Sequence, residues 1–504
     1  MILSRPLLEQ TLAAEVPQGA GMVSGVTHDS RSVEPGFAFV AVPGFKRDGT
    51  EFAAEALRRG AAVVVAEREI EELLDAPVVV VPSARRALAA LACALYDNPS
   101  GALPVYGVTG TNGKTTTAFA LHSILEAAFG PKRVGLLTTA GAIVGGDWEA
   151  PPEGRTTPEA VDVQAMLARM RDRGVRRAVM EVSSHGIALE RVGGTRFRGA
   201  LFTNLTRDHL DLHGTMEDYY TTKRELFLRT EGPKLANAED GWGRRLAGEV
   251  EGTKTFGGAP DADYRVGRVR YGGDGTSFSL SYAGGELHLQ TPLLGPYNVL
   301  NVAGAAALAL EVGVGGDDVA RAVLTMPQVP GRFERVGGAE FEVVVDYAHT
   351  DVGLEAVLEV ARGVAGEGRV ICVFGAAGER DGAKRPLMGG VAARLADRSI
   401  VTTDDAYGED PEKIATEVAA GAREAVRSGA LEVVLDRREA IRRALSLARR
   451  GDVVVVAGKG HETVQHLPEG DVPFHDASVV GELIAELAGE REGNVCSGTQ
   501  RARS

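Results

Sequence analysis

A glycine-rich turn, Gly110-Thr111-Asn112-Gly113-Lys114-Thr115-Thr116, follows an apolar run at 105–108 and opens a helical pattern at 115–129. Backbone N–H groups in such a turn face anionic oxygens, and the helix N-terminus favours negative charge. Lys114 then reaches terminal phosphates and Thr115 offers a hydroxyl to magnesium, which is the chemistry of nucleoside triphosphate binding. The spacing departs from the common eight-residue loop, because Val108 stands five residues before Gly113 and the nearest earlier glycine is Gly107. Downstream, Glu181 closes a second apolar run (Val179, Met180), where a carboxylate can hold magnesium directly or through water, or else form an ion pair. His209 follows a third run at 200–202 and is either a further ligand or a solvated loop histidine. Lys223 lies on a helix predicted from Met216, where the ordinary reading is a surface cation beside a carboxylate.

The elements that must position these residues fall into three blocks, and the fold class is α/β with three domains. Residues 1–103 hold short apolar runs at 37–42 and 61–65 and end in Asn98-Pro99-Ser100-Gly101, a small N-terminal α/β domain. Residues 104–329 carry the phosphate turn in a mostly parallel sheet, with an alternation at 264–290 suited to a small antiparallel one. From 330 to 488, runs at 342–346, 370–374, 400–403, 432–435 and 453–456 each precede a helical pattern or a loop. That order predicts a Rossmann-like, doubly wound sheet whose ligands sit at the carboxyl ends of its strands. Residues 489–504 read as a disordered tail.

Composition narrows the partners. The 504 residues carry 55 Lys and Arg against 69 Asp and Glu, a formal net charge of −14 that repels nucleic acid and anionic lipid, so neither is an expected partner. No apolar run approaches the roughly 20 residues a membrane span needs. Cys93, Cys372 and Cys496 have no metal-ligand spacing and make a poor disulfide framework. With Arg5 and Glu9 interrupting its first ten residues, the chain reads as cytoplasmic, and a monomer is expected.

The joint order of the motifs resembles one family. Residues 110–117, then Thr156-Thr157-Pro158-Glu159, then 181–186, 203–214 and 219–227 are similar to the Mur ligases of peptidoglycan synthesis. Asp29-Ser30-Arg31 and Lys384-Arg385-Pro386-Leu387-Met388-Gly389 resemble the branch that adds the third amino acid. The resemblance implies an ATP-dependent acid–amino acid ligase. ATP would phosphorylate the D-glutamate side-chain carboxylate of UDP-N-acetylmuramoyl-L-alanyl-D-glutamate, and the amine of a diamino acid would attack the acyl phosphate. Two polyanions meet in this reaction, so magnesium and Lys114 would neutralise charge on the transferred phosphoryl.

Residue by residue, the resemblance implies Thr115 and Glu181 on one magnesium and His209 on another, with Lys223 carrying a CO2-derived carbamate as an anionic ligand. It implies an ATP site of Gly110, Thr111, Asn112, Gly113, Lys114, Thr115 and Thr116, joined by Asn298, Asn301, Arg332, Asp346 and His349. Lys114, Glu181, His209, Lys223 and Arg332 would be catalytic. Nucleotide-sugar and dipeptide contacts would come from Ser30, Phe45, Lys46, Arg47, Thr156, Thr157, Ser183 and Arg191. Two departures stand out: Leu189 replaces a frequent glutamine, and Asp351-Val352 replaces the usual Pro-Asp.

For the third amino acid, Arg380 matches the arginine that pairs with the incoming α-carboxylate, and Gly458 and Glu462 match contacts at the far end of its side chain. Members that use meso-diaminopimelate carry Asp-Asn-Pro-Arg, whereas this chain reads Asp405-Ala406-Tyr407-Gly408. The distal cation is gone, and Asp405, Glu409 and Glu462 remain. A distal carboxylate would be desolvated without a partner, while an ammonium would be welcomed, so L-ornithine or L-lysine is expected. One methylene, worth about 0.8 kcal/mol of burial, does not decide between them. The alternatives are the same ligase using meso-diaminopimelate, a folylpolyglutamate synthetase, and a non-catalytic ATP-binding regulatory module.

Overall fold

A computed structural model describes residues 1–44, 47–150, 155–273, 275–337, 340–424 and 430–501. The chain divides into two compact units, one of Met1–Val269, Ser277–Gln290 and Tyr297–Met326, the other of Arg270–Thr276, Thr291–Pro296 and Pro327–Ser504.

The first unit begins with a four-stranded parallel sheet, Gly25–Thr27, Phe37–Val40, Val63–Ala66 and Val78–Val80 in that order. Its strands are shorter than the apolar runs suggest. Ala61 N–H is spent closing the preceding helix on Ala56 O, and Val42 N–H turns back to Val40 O just before Pro43. Ala84–Leu95 covers the sheet, burying Ala87, Leu88, Leu91 and Leu95 at helical spacing.

The unit's main sheet has eleven strands. Val105–Thr109 lies at its centre between Arg177–Glu181 and Phe197–Phe202, parallel to both, with Val108 opposite Glu181 and Thr109 opposite Phe202. Val134–Leu137 extends it in parallel on one side, and Lys234–Asn237 and Thr253–Gly257 on the other. All five residues of Val105–Thr109 are buried, as a strand covered by helices on both faces requires. The expected alternating segment forms three successive strands, Tyr264–Gly272, Gly275–Tyr282 and Gly285–Thr291, at one edge.

The second unit is built on a six-stranded sheet in the order Glu334–Arg335, Glu342–Asp346, Val453–Ala457, Val370–Phe374, Arg398–Val401, Ala430–Val433, parallel except at its first strand. Two strands end two residues earlier than the apolar pattern predicts. Thr403 N–H bonds Leu435 O instead of continuing the ladder, and this releases the loop that carries Asp404 and Asp405. The last helix runs Asp476–Arg501, so backbone helix continues through 489–501, where a disordered tail is expected from sequence. The chain past Pro473 contains no proline to stop it, and Val480 and Leu483 anchor its start in the core. Among the described residues no helix is long and apolar enough to cross a membrane.

Candidate functional site

Three neighbouring parallel strands end side by side in the first unit, and the loops that leave them carry the chemistry. After Val105–Thr109 the turn passes through Gly110 (φ +153°) and Gly113 (φ +80°) into the helix Lys114–Phe129, one residue earlier than its sequence pattern predicts. A Cβ on Gly110 would lie 1.9 Å from Thr203 Oγ1, and one on Gly113 2.3 Å from Asn301 Oδ1. The turn is held open by the neighbouring loop: Thr111 N–H donates to Asn204 O at 2.8 Å, Asn112 N–H to Asn204 Oδ1 at 2.9 Å, and Thr203 Oγ1–H to Asn112 O at 2.6 Å. Gly113→Ala is expected to cost roughly 1–2 kcal/mol from the left-handed backbone alone. The displaced Asn301 should raise KM for ATP severalfold, and a melting curve with ATP kinetics checks both.

Glu181 ends the second strand and is buried at the mouth of this turn. Its Oε2 accepts from Thr115 Oγ1 at 3.0 Å and from Thr139 N–H at 3.1 Å, and Lys114 Nζ stands 3.8 Å from its Oε1. Lys223, on the helix Met216–Leu228, is fully buried and donates from Nζ to Gly110 O at 2.8 Å. Burial, then the nearby Lys114 charge, hold its pKa well below the usual lysine range. Lys223 is therefore an interior amine, not the surface cation that is the ordinary reading of its helix. His209 sits in the loop beyond Phe197–Phe202, its side chain partly exposed and its ring 4.8 Å from that of His185; desolvation, with the nearby His185 and Lys114 charges, lowers its pKa. Hydroxyl and carboxylate oxygens from Thr115 and Glu181, set at a helix N-terminus, are hard donors that suit magnesium. Among the described residues no group of three or more His, Cys, Asp or Glu could hold a metal ion.

The dipeptide-side candidates join the same cluster. Thr157 Oγ1–H donates to Glu181 O at 3.1 Å and accepts from Ser183 N–H at 3.0 Å, while Arg191 bonds Thr157 O and pairs with Glu159 at 3.0 Å. Thr139 Oγ1–H donates to Thr156 Oγ1 at 2.9 Å. Asn301 Nδ2–H donates to Asn298 Oδ1 at 3.1 Å, and Asn301 Oδ1 accepts from Thr117 Oγ1 at 3.3 Å. Ser30 is buried in a short helical turn capped by Asp29, and Arg47 is exposed over the Phe52 ring. Phe45 and Lys46 lie outside the described residues.

In the second unit the same logic holds: the loops after adjacent parallel strands meet. Asp346 accepts from Phe333 N–H at 2.6 Å and Ala348 N–H at 2.8 Å, and burial raises its pKa. The Arg332 guanidinium lies 4.4 Å from the centre of the Tyr347 ring, and His349 packs edge-on against that ring. Tyr347 O–H donates to Glu462 Oε1 at 3.2 Å. Asp405 is buried and Arg380 is exposed, its guanidinium 5.5 Å from the Tyr407 ring. Gly458 (φ +118°) brings its backbone so close to Asp404 that a Cβ would lie 2.3 Å from Oδ2.

Several groups here lie within the matched stretches without a role assigned to them from sequence. Lys459 reaches Asp405 Oδ1 at 2.7 Å and Glu462 Oε2 at 2.9 Å. Arg385 lies between Glu409 (3.0 Å) and Glu417 (2.7 Å). Tyr219 comes within 3.3 Å of Thr111 Oγ1, and Asn204 clasps the phosphate turn. Their stretches are visible in the sequence; which partners they face is not, because those partners come from distant segments.

Comparison with known proteins finds three family matches along the chain. Residues 22–96 match the Mur ligase family, catalytic domain; 108–309 match the Mur ligase middle domain; and 331–460 match the Mur ligase, glutamate ligase domain. The chain is 42% identical to a UDP-N-acetylmuramoyl-L-alanyl-D-glutamate–2,6-diaminopimelate ligase of Solibacter usitatus, over 96% of this chain and 97% of that one. It is 40% identical to the ligase of the same name from Syntrophomonas wolfei, over 92% and 94%. A solved structure of a ligase with that name superposes with TM-score 0.68 at 29% identity, covering 97% of this chain and all of the other.

Proposed function

The chain belongs to the Mur ligase family, and from that premise we propose how its residues divide the work of adding the third residue to UDP-N-acetylmuramoyl-L-alanyl-D-glutamate. It is an ATP-dependent ligase with the three-domain α/β fold of that family. The observation that carries the reading is the convergence of Lys114, Thr115, Glu181 and Lys223 at the carboxyl ends of three adjacent strands. Residues 1–103 hold the nucleotide sugar, 104–329 the ATP phosphates, and 330–488 the incoming amino acid.

Magnesium, held by Thr115 and Glu181, would offset the charge that builds up on the transferred phosphoryl group. The backbone N–H groups of 110–116 cradle the phosphates, Lys114 neutralises the terminal one, and Thr156, Thr157, Ser183 and Arg191 grip the dipeptide whose glutamate carboxylate becomes the acyl phosphate. Lys223, as a carbamate, would supply an anionic ligand to magnesium, and His209 would help hold a second cation. In the first unit Asn298 and Asn301 would add nucleotide contacts, and in the second unit Arg332, Asp346 and His349 are the residues that would offer them. Residues 22–96 match the Mur ligase family, catalytic domain, which argues against a folylpolyglutamate synthetase, and an intact Lys114–Glu181–Lys223 cluster argues against a regulatory module.

The names of the relatives favour 2,6-diaminopimelate as the third amino acid over the ornithine or lysine expected from sequence. The carboxylates counted on to receive a distal ammonium are already occupied: Asp405 and Glu462 by Lys459, Glu409 by Arg385. Ornithine or lysine is retained as the second reading on one observation, that Gly408 offers no side-chain cation. Purified protein given ATP, magnesium, the dipeptide nucleotide and each amino acid separately should yield a product heavier by one diaminopimelate residue by mass spectrometry. Incorporation of ornithine or lysine alone would reverse the choice, and no product with any of the three would remove the ligase assignment.

A further inference from the structure

Glu190 stands where the backbone favours glycine. It follows the short helix Ser184–Ala188 with φ at +53°, and a side chain in this left-handed region persists only when its surroundings hold it there. What holds it comes from two sides. Glu190 Oε1 accepts from Arg86 Nε at 3.1 Å and Oε2 from Arg229 at 3.1 Å, so the carboxylate, 14% exposed, lies between two guanidinium groups. Arg86 belongs to the helix Ala84–Leu95 that covers the first sheet, and Arg229 caps the helix Met216–Leu228 that carries Lys223. The helix Ala84–Leu95 also lies against the residues that follow: a Cβ on Gly193 would come within 2.7 Å of Ala89 Cβ, and Cys93 Sγ is 3.4 Å from Gly194 O.

The next residue, Arg191, bonds Gly186 O through its backbone N–H at 2.8 Å, and its guanidinium reaches Thr157 O at 3.1 Å and Glu159 at 3.0 Å. Leu189 offers this turn no polar group, and Gly193-Gly194 give the chain beyond Arg191 little stiffness of its own. We propose that Glu190 is a positioning residue: by pairing with Arg86 and Arg229 at once, it fixes the turn from which Arg191 reaches the dipeptide, and so ties that grip to the helix covering the nucleotide-sugar domain. The inference rests on the ligase reading above, in which Arg191 grips the dipeptide and residues 1–103 hold the nucleotide sugar. A single exposed ion pair contributes little. Here one shielded carboxylate is shared by two arginines from different elements, an arrangement that sets the direction of a turn more than it adds stability.

The test measures kcat, KM for the dipeptide nucleotide, KM for ATP and thermal melting in wild type, Glu190→Gly, Glu190→Gln, Arg86→Ala and the double variant of the last two. Glu190→Gly removes both pairs and relieves the left-handed backbone, so it should melt close to wild type. Its KM for the dipeptide nucleotide should nevertheless rise roughly three- to tenfold, the scale of one or two partly exposed ion pairs, with kcat and KM for ATP little changed. Glu190→Gln and Arg86→Ala should raise the same KM, and their double variant should raise it by less than the product of the two single effects, because both break one clamp. An unchanged KM for the dipeptide nucleotide in Glu190→Gly, or a lowered melting temperature with kcat and both KM values moving together, assigns Glu190 to the fold alone and overturns the proposal. Effects that multiply in the double variant overturn it too. Should Glu190→Gly fail to fold, Glu190→Gln, which keeps the shape and removes the charge, decides by the same KM. A wild-type protein that makes no product with any third amino acid refutes the ligase reading instead, an outcome distinct from an active wild type whose variants keep its KM.

Discussion

Replacing Lys223 with alanine is expected to lower ligase turnover by about two to three orders of magnitude, the scale seen when one preorganised electrostatic group is removed from a transition state. The side chain is fully buried, its Nζ bonds Gly110 O at 2.8 Å, and the ring of Tyr219 lies 4.7 Å away. An ammonium there would oppose the cation proposed for Thr115 and Glu181. Burial and Lys114 instead push its pKa well down, and the sign matters. A lowered lysine pKa means that the proton leaves at lower pH, so the neutral amine is available where an ordinary lysine is still protonated. That amine can attack CO2, forming an N–C bond and releasing a proton, which turns a positive side chain into a negative one. Short carboxylic acids such as formate or acetate should therefore restore part of the activity of Lys223→Ala by filling the vacated space with a carboxylate. They should not rescue Lys223→Met, whose stem fills that space. A folded Lys223→Ala that no carboxylate rescues would sink the carbamate reading while leaving a role for the residue in holding the phosphate turn.

How much of this was readable in advance follows from what each residue's role depends on. The phosphate turn was legible because its function lies in consecutive backbone: Gly110 and Gly113 adopt positive φ, and the helix begins at Lys114, all within seven residues. The strands at 342–346 and 370–374 were legible to the residue, because strands buried on both faces must be continuous apolar runs. Lys223 was visible only by resemblance, since on its own helix it is simply a lysine among polar neighbours. Its burial comes from Gly110, 113 positions away. The acidic residues after the third strand show the same limit. Counting Asp405, Glu409 and Glu462 gives a surplus of negative charge, but not that Lys459 bonds Asp405 and Glu462 or that Arg385 pairs with Glu409. Local sequence states which charges exist; only the topology states which of them face each other.

The pair Arg437–Asp476 gives the largest expected effect on stability. Neither side chain is exposed, and the guanidinium donates to both carboxylate oxygens, at 2.8 and 2.7 Å, and to Ala457 O at 3.0 Å. Asp476→Ala would leave a buried guanidinium without its counter-charge, a change expected to cost about 3–5 kcal/mol in urea or thermal unfolding. The apolar double variant Arg437→Met with Asp476→Leu should lose much less, because it removes the desolvation cost together with the attraction. A double variant as unstable as the single one would mean that the pair contributes net stability. The expected asymmetry would instead assign the pair to shape: Ala457 O is the last carbonyl before Gly458 and Lys459, and tethering it fixes where the pocket loop leaves the sheet. The double variant should therefore be nearly as stable as wild type and still show a raised KM for the amino acid, with KM for ATP unchanged.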